Sequence, residues 1–121
     1  MEDLKISDLM AMQDELQEKY KGIWSPIIPE TGKHSLLWLV EEVGEVAAIF
    51  KKRGHEAIME DPAVRSSFVE EMSDILMYHI DVLMSFNVTA DEFSRAYKAK
   101  HERNMERDFT NEHTHFLEDK E

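Results

Sequence analysis

The chain contains no cysteine, which excludes disulfides, thiolate-ligated zinc, iron–sulfur clusters and a thiol nucleophile. Positive charge is scarce, with 14 lysines and arginines against 26 acids and a formal net charge of −12. Nucleic-acid affinity rests on cationic patches, so no nucleic-acid polymer is expected as a partner. No apolar run approaches the roughly 18–20 residues of a membrane span, and MEDLKISDLM is acidic and charge-broken, unlike a signal peptide. No membrane partner is expected, and a cytoplasmic location follows by default. Alternating Val/Ile/Thr segments are missing as well, so no sheet is expected.

What is present reads as helix. Leu9, Met12, Leu16 and Tyr20 recur at helical spacing over roughly Asp8 to Lys21, and Gly22 ends that segment. Pro26, Pro29 and Gly32 mark GIWSPIIPETG as a loop. A second helix is expected from about Gly32 or Lys33 to Arg53, closing on a cationic KKR and Gly54. Asp61-Pro62 has the chemistry of a cap followed by proline at the first helical position, opening a third helix to about Phe86. Both are apolar nearly all round, the pattern of helices buried by several neighbours. Thr89-Ala-Asp-Glu92 has capping-box spacing and starts a fourth helix reaching roughly Asp108. The expectation is one all-α domain over residues 1–108 and a polar tail over 109–121, with the eight methionines as core filler.

Two acidic clusters lie inside the apolar helices: Glu41, Glu42 and Glu45 in LLWLVEEVGEVAAIF, and Glu70, Glu71 and Asp74 in FVEEMSDILMYHIDVLM. Acids in apolar surroundings are usually paired with cations or bound to metal, because a lone buried anion is costly. No lysine or arginine occurs between Glu41 and Phe50 or between Phe68 and Phe86. Residues three or four apart share a helix face, so Glu42 with Glu45 and Glu71 with Asp74 form two same-face pairs. If the two helices pack antiparallel, four carboxylates meet in an oxygen-only site suited to Mg²⁺ or Mn²⁺. In a chain this acidic, each pair alone is ordinary surface charge, and the apolar context is what sets them apart. Glu41 and Glu70, rotated by about 100°, are read as rim charges.

Lys100, Asn104 and Arg107 recur at i, i+4 and i+7, a stripe able to grip phosphate or simply to face solvent. Trp38 precedes Glu42 by one turn and His34 precedes Trp38 by another, so both are candidates for stacking on a base. His113 and His115 lie in the tail and are read as incidental.

The order LVEEVGEVA, EEMSDIL, KAKHERNMERDF resembles the MazG-like family of all-α nucleoside triphosphate pyrophosphohydrolases, relatives of dimeric dUTPases and dCTP pyrophosphatases. The likeness runs from Ser35 to Phe109, about three fifths of the chain. It implies a four- to five-helix bundle core that oligomerises as a homodimer or homotetramer. It also implies Mg²⁺ held by Glu42, Glu45, Glu71 and Asp74, and phosphates contacted by Lys100, Asn104 and Arg107. Cleavage of a (d)NTP substrate to (d)NMP and pyrophosphate would follow, a nucleotide-pool housecleaning activity. Glu41, beside a metal ligand, is then assigned to orienting or deprotonating the attacking water. Gln13, Trp24, His34 and Trp38 are base-contact candidates, in a region where no family motif aligns.

Two other readings compete. A di-iron bundle needs Glu-x-x-His on two core helices, and the chain offers only Glu112-x-x-His115, in its tail. A non-catalytic helical regulatory or nucleotide-binding dimer would be marked by loss of a ligand or of the cationic stripe, and neither is lost.

Overall fold

The computed structural model describes residues 1–107, so the tail with Glu112, His113 and His115 lies outside the described residues. Among the described residues there are four α-helices and no strand: α1 (Ile6–Lys19), α2 (Gly32–Glu60), α3 (Pro62–Ser85) and α4 (Ala90–Glu106). The chain divides into two compact units, Met1–Ala90 and Asp91–Glu121, and α4 is described by itself.

Local chemistry sets the helix ends. Asp8, taken from the sequence as the start of α1, is instead its third residue; its carboxylate accepts the backbone N–H of Lys5 at 2.8 Å, closing the first turn from inside. Asp61 caps α3 as expected, accepting from Ala63 N–H at 2.9 Å ahead of Pro62. At the other end of α3, Asn87 takes the left-handed conformation (φ 58°). Its N–H bonds Met84 O at 3.0 Å and that of Val88 bonds Leu83 O at 3.0 Å, a Schellman closure.

The first stretch of α2 stops at Gly54, as expected. Gly54 is non-helical (φ 81°, ψ 166°), yet helix resumes and runs to Glu60. HEAIME is rich in helix formers, so a second short helical stretch follows the break at Gly54.

In the first unit α3 packs chiefly against α2 and less against α1. The pairing with α2 is antiparallel: Phe50 meets Phe68, Trp38 meets Tyr78, and the ring of Phe86 lies over Gly32. A Cβ at Gly32 would sit 2.6 Å from that ring, so a larger residue there would have to push the ring aside.

The buried apolar core is small, comprising Val46, Ile58, Val64 and Ile80. None of the methionines is in it: Met1, Met12, Met59, Met72, Met77 and Met105 are exposed, and the other two are half-buried. The core-filler expectation therefore fails within one chain. The reason is geometric, since three helices cannot surround α2 and α3 on every side. Leu36, Val40, Val43 and Phe50 form one exposed stripe along α2, and Val69, Met72 and Leu76 another along α3.

Candidate metal centre

The antiparallel register brings acids of α2 and α3 to mid-helix. One carboxylate oxygen from each of Glu42, Glu71 and Asp74 lies within 4.8 Å of the others, and all three residues are half-buried. Three anions so close repel one another unless one takes a proton or a cation joins them. Glu42 shows the effect. Its carboxyl is pushed up from the ordinary 4.5 to about 7, first by a hydrogen bond shared with Glu71, then by lost solvent, then by the charges of Glu71, Asp74 and Glu45.

A second observation points the same way. Glu71 Oε2 is buried and has no hydrogen-bond partner. Buried acceptors normally find a donor, and an unpaired oxygen on a residue of the triad is suited to a hard cation. The donor set is oxygen only, so the residues fit Mg²⁺ or Mn²⁺.

Glu45 does not join this triad. It is exposed, whereas Glu42, Glu71 and Asp74 are half-buried. Its charge still adds to the rise at Glu42. Glu41 and Glu70 are exposed as rim charges should be.

A cavity of about 480 Å³ adjoins the triad, with Asp74 in its wall. Gln13, Trp24, Trp38, Tyr78 and Asp81 also line it, and no lysine or arginine does. Trp24 stacks on Tyr20 with ring centroids 4.3 Å apart, an arrangement made by the turn after α1. Gly22 supplies the positive φ of 86° that turn needs, and Trp24 N–H donates to Tyr20 O at 3.0 Å. His34 is not part of the wall; its ring meets Trp38 at 5.9 Å and its Nδ1 lies 3.3 Å from Ser25 Oγ.

Tyr78 and Asp81 were missed in the sequence. Burial raises the Tyr78 hydroxyl above its ordinary value, and the Glu42, Asp74, Asp81 and Glu41 charges add to it. Burial also raises the Asp81 carboxyl, against the hydrogen bond from Gln13. A signal was available: Asp81 is the fourth acid of the cation-free apolar stretch of α3, seven residues after Asp74 and so nearly on its face.

Lys100, Asn104 and Arg107 keep their common face. Lys100 and Asn104 lie in α4 and Arg107 one residue beyond it, its N–H bonded to Arg103 O at 3.1 Å. Lys100 and Arg107 are exposed.

The raised Glu42 carboxyl gives a pH signature. An unfolded glutamate releases its proton near 4.5, whereas in the folded chain Glu42 keeps it to about 7. Between those values the native state binds the extra proton, so its stability falls as pH rises and the penalty is complete above about 7. Metal-free protein should lose Tm from pH 5 to pH 8, and Mg²⁺ should restore it at pH 8 far more than at pH 5. Glu42→Gln should flatten that slope. An unaltered slope in the variant would remove Glu42 as its source.

No helix among the described residues is long and apolar enough to cross a membrane. Comparison with family models, with curated proteins and with solved structures finds no match to this chain.

Proposed function

We propose that the protein is a Mg²⁺-dependent nucleoside triphosphate pyrophosphohydrolase that converts a (d)NTP to the (d)NMP and pyrophosphate. The observation that carries this reading is the triad Glu42, Glu71 and Asp74, whose Asp74 also lines a cavity holding Trp24, Trp38 and Tyr78. A hard-cation site beside an aromatic pocket suits a substrate that is anionic at one end and a flat ring at the other. The three ordered motifs that resemble MazG-like enzymes support it independently.

In this reading Glu42, Glu71 and Asp74 hold the ion, with Glu45 tuning their charge from the rim. Mg²⁺, when bound, offsets the repulsion between carboxylates and triphosphate and polarises the phosphoryl oxygens. Glu41 takes the proton of the water that attacks the α-phosphorus, as the bond from that phosphorus to the bridging oxygen breaks and pyrophosphate leaves. Lys100 and Arg107 are assigned to the phosphate charges and Asn104 to a phosphate oxygen. Trp38 and Trp24 offer faces to the base, with His34 supporting Trp38.

A second copy of the chain is assigned to the exposed stripes of α2 and α3. Among the described residues four buried apolar side chains are a thin core, and an exposed run from Leu36 to Phe50 is the kind of patch that marks an interface. The assembly is therefore proposed as a homodimer or a homotetramer.

Product analysis tests the reaction. Purified protein incubated with a panel of canonical and modified (d)NTPs should release monophosphate and pyrophosphate with Mg²⁺ and nothing with chelator. No product from any nucleotide would leave a non-catalytic nucleotide-binding or regulatory dimer in its place.

A further inference from the structure

Gln13 and Asp81 are each only 5% exposed, although both line the cavity beside the triad. Gln13 Nε2 donates to Asp81 Oδ1 at 3.0 Å, a bond between α1 and α3 that joins residues 68 positions apart. Among the described residues neither side chain makes a further hydrogen bond or an ion pair. Their remaining valences are therefore unused by the fold.

The pair has a fixed polarity. The amide must turn its nitrogen toward the carboxylate, because its oxygen would be repelled. One amide hydrogen is spent on Asp81 and the second is free to donate. Asp81 retains a second oxygen as acceptor. Side by side, the two groups thus present one donor and one acceptor in an enclosure with aromatic faces.

We infer that the Gln13–Asp81 pair reads the base and selects rings carrying an exocyclic amino group next to an unprotonated ring nitrogen, the edge shared by cytosine and adenine. The amino group donates to Asp81, and the ring nitrogen accepts from Gln13. Uracil and thymine present the reverse order: a carbonyl oxygen would face the carboxylate and a ring N–H would face the amide N–H. Both buried groups would then be unpaired, and a site built to hydrogen-bond one partner discriminates strongly against one that leaves it unsatisfied. Trp24, Trp38 and Tyr78 supply ring contact that every base can use, so they contribute affinity without choosing.

This inference rests on the nucleotide reading of the cavity, and the test separates the two. Binding of dCMP and dUMP to the full chain is measured by calorimetry in EDTA, alongside cleavage of dCTP, dATP, dUTP and dTTP with Mg²⁺. The expected result is dCMP at least about tenfold tighter than dUMP, with kcat/KM favouring dCTP and dATP by a similar factor. Asp81→Asn turns an acceptor into an amide able to donate, and should shrink the preference to within about twofold or invert it. Gln13→Met, which keeps volume and removes the donor, should lose it too. A purely structural role for the pair would weaken all nucleotides alike and leave the ratio unchanged. Equal binding of the two monophosphates, no binding of either, or a preference that survives both substitutions would overturn the inference. Cleavage of all four triphosphates without preference would leave the reaction standing. A dCMP preference without any cleavage would instead remove the reaction and leave the pocket.

Discussion

Glu71→Gln and Asp74→Asn should each lower Mg²⁺-dependent cleavage by at least about 100-fold, since loss of a direct ligand exceeds the 10–100-fold typical of groups one shell out. Fold and activity should separate in these variants. Each substitution replaces an anion by a neutral side chain of nearly the same shape, and the anion stands within 4.8 Å of two others. Removing it relieves repulsion, on the order of 0.5 kcal/mol once solvent screening at a half-exposed site is allowed for. That corresponds to a Tm rise of roughly 2–4 °C without metal. Mg²⁺ should then add little further stability, whereas it should raise the Tm of the parent chain. Calorimetric scans with and without Mg²⁺, paired with turnover, read both effects. Full turnover in either variant would return that residue to ordinary surface charge.

Val40→Asp has the second large effect, and it distinguishes an isolated chain from an assembly. Val40 is 58% exposed in the single chain, and a charge there should change stability by no more than about 0.5 kcal/mol. If a second copy covers the stripe, the new carboxylate is buried without a partner. Burying an unpaired charge costs about 3–5 kcal/mol, enough to dissociate the assembly and lower Tm by at least roughly 10 °C. Sedimentation velocity and a thermal scan should report a monomer with a broadened transition. The oligomer mass and a Tm unchanged within a few degrees would show that something other than a second copy meets this face, and Leu36→Asp repeats the test one turn away.

These outcomes bear on how far the sequence reaches. Periodicity and caps located all four helices, because Asp61-Pro62 and the Gly22–Gly32 punctuation act through the local backbone. Three of the four expected metal ligands converge for a related reason: their partners are set by helix faces and by one antiparallel pairing. Glu45 illustrates the limit. Its i,i+3 spacing from Glu42 is the same as that of Asp74 from Glu71, so spacing alone does not tell which pair turns both carboxylates inward. The Gln13–Asp81 contact lies further beyond reach, because it depends on how α1 is laid on α3 across 68 positions of chain. The apolar circumference of α2 and α3 misled most. Among the described residues much of that apolar surface is exposed, which the periodicity of one helix cannot reveal.

Helix α3 carries both Asp74 and Asp81, one in the acidic triad and the other against Gln13. Seven residues of α-helix span about 10.5 Å and return to within about 20° of the starting direction. The helix is thus a ruler whose length fixes how far apart the two ends of any occupant can be. One residue inserted between them would swing Asp81 through about 100° while leaving the acidic cluster intact, uncoupling the two places without touching either. Seven inserted residues would restore the direction and lengthen the gauge by about 10.5 Å. Whatever fills this site has its size limited by a count of residues along one helix, and a change of side chain cannot alter that limit.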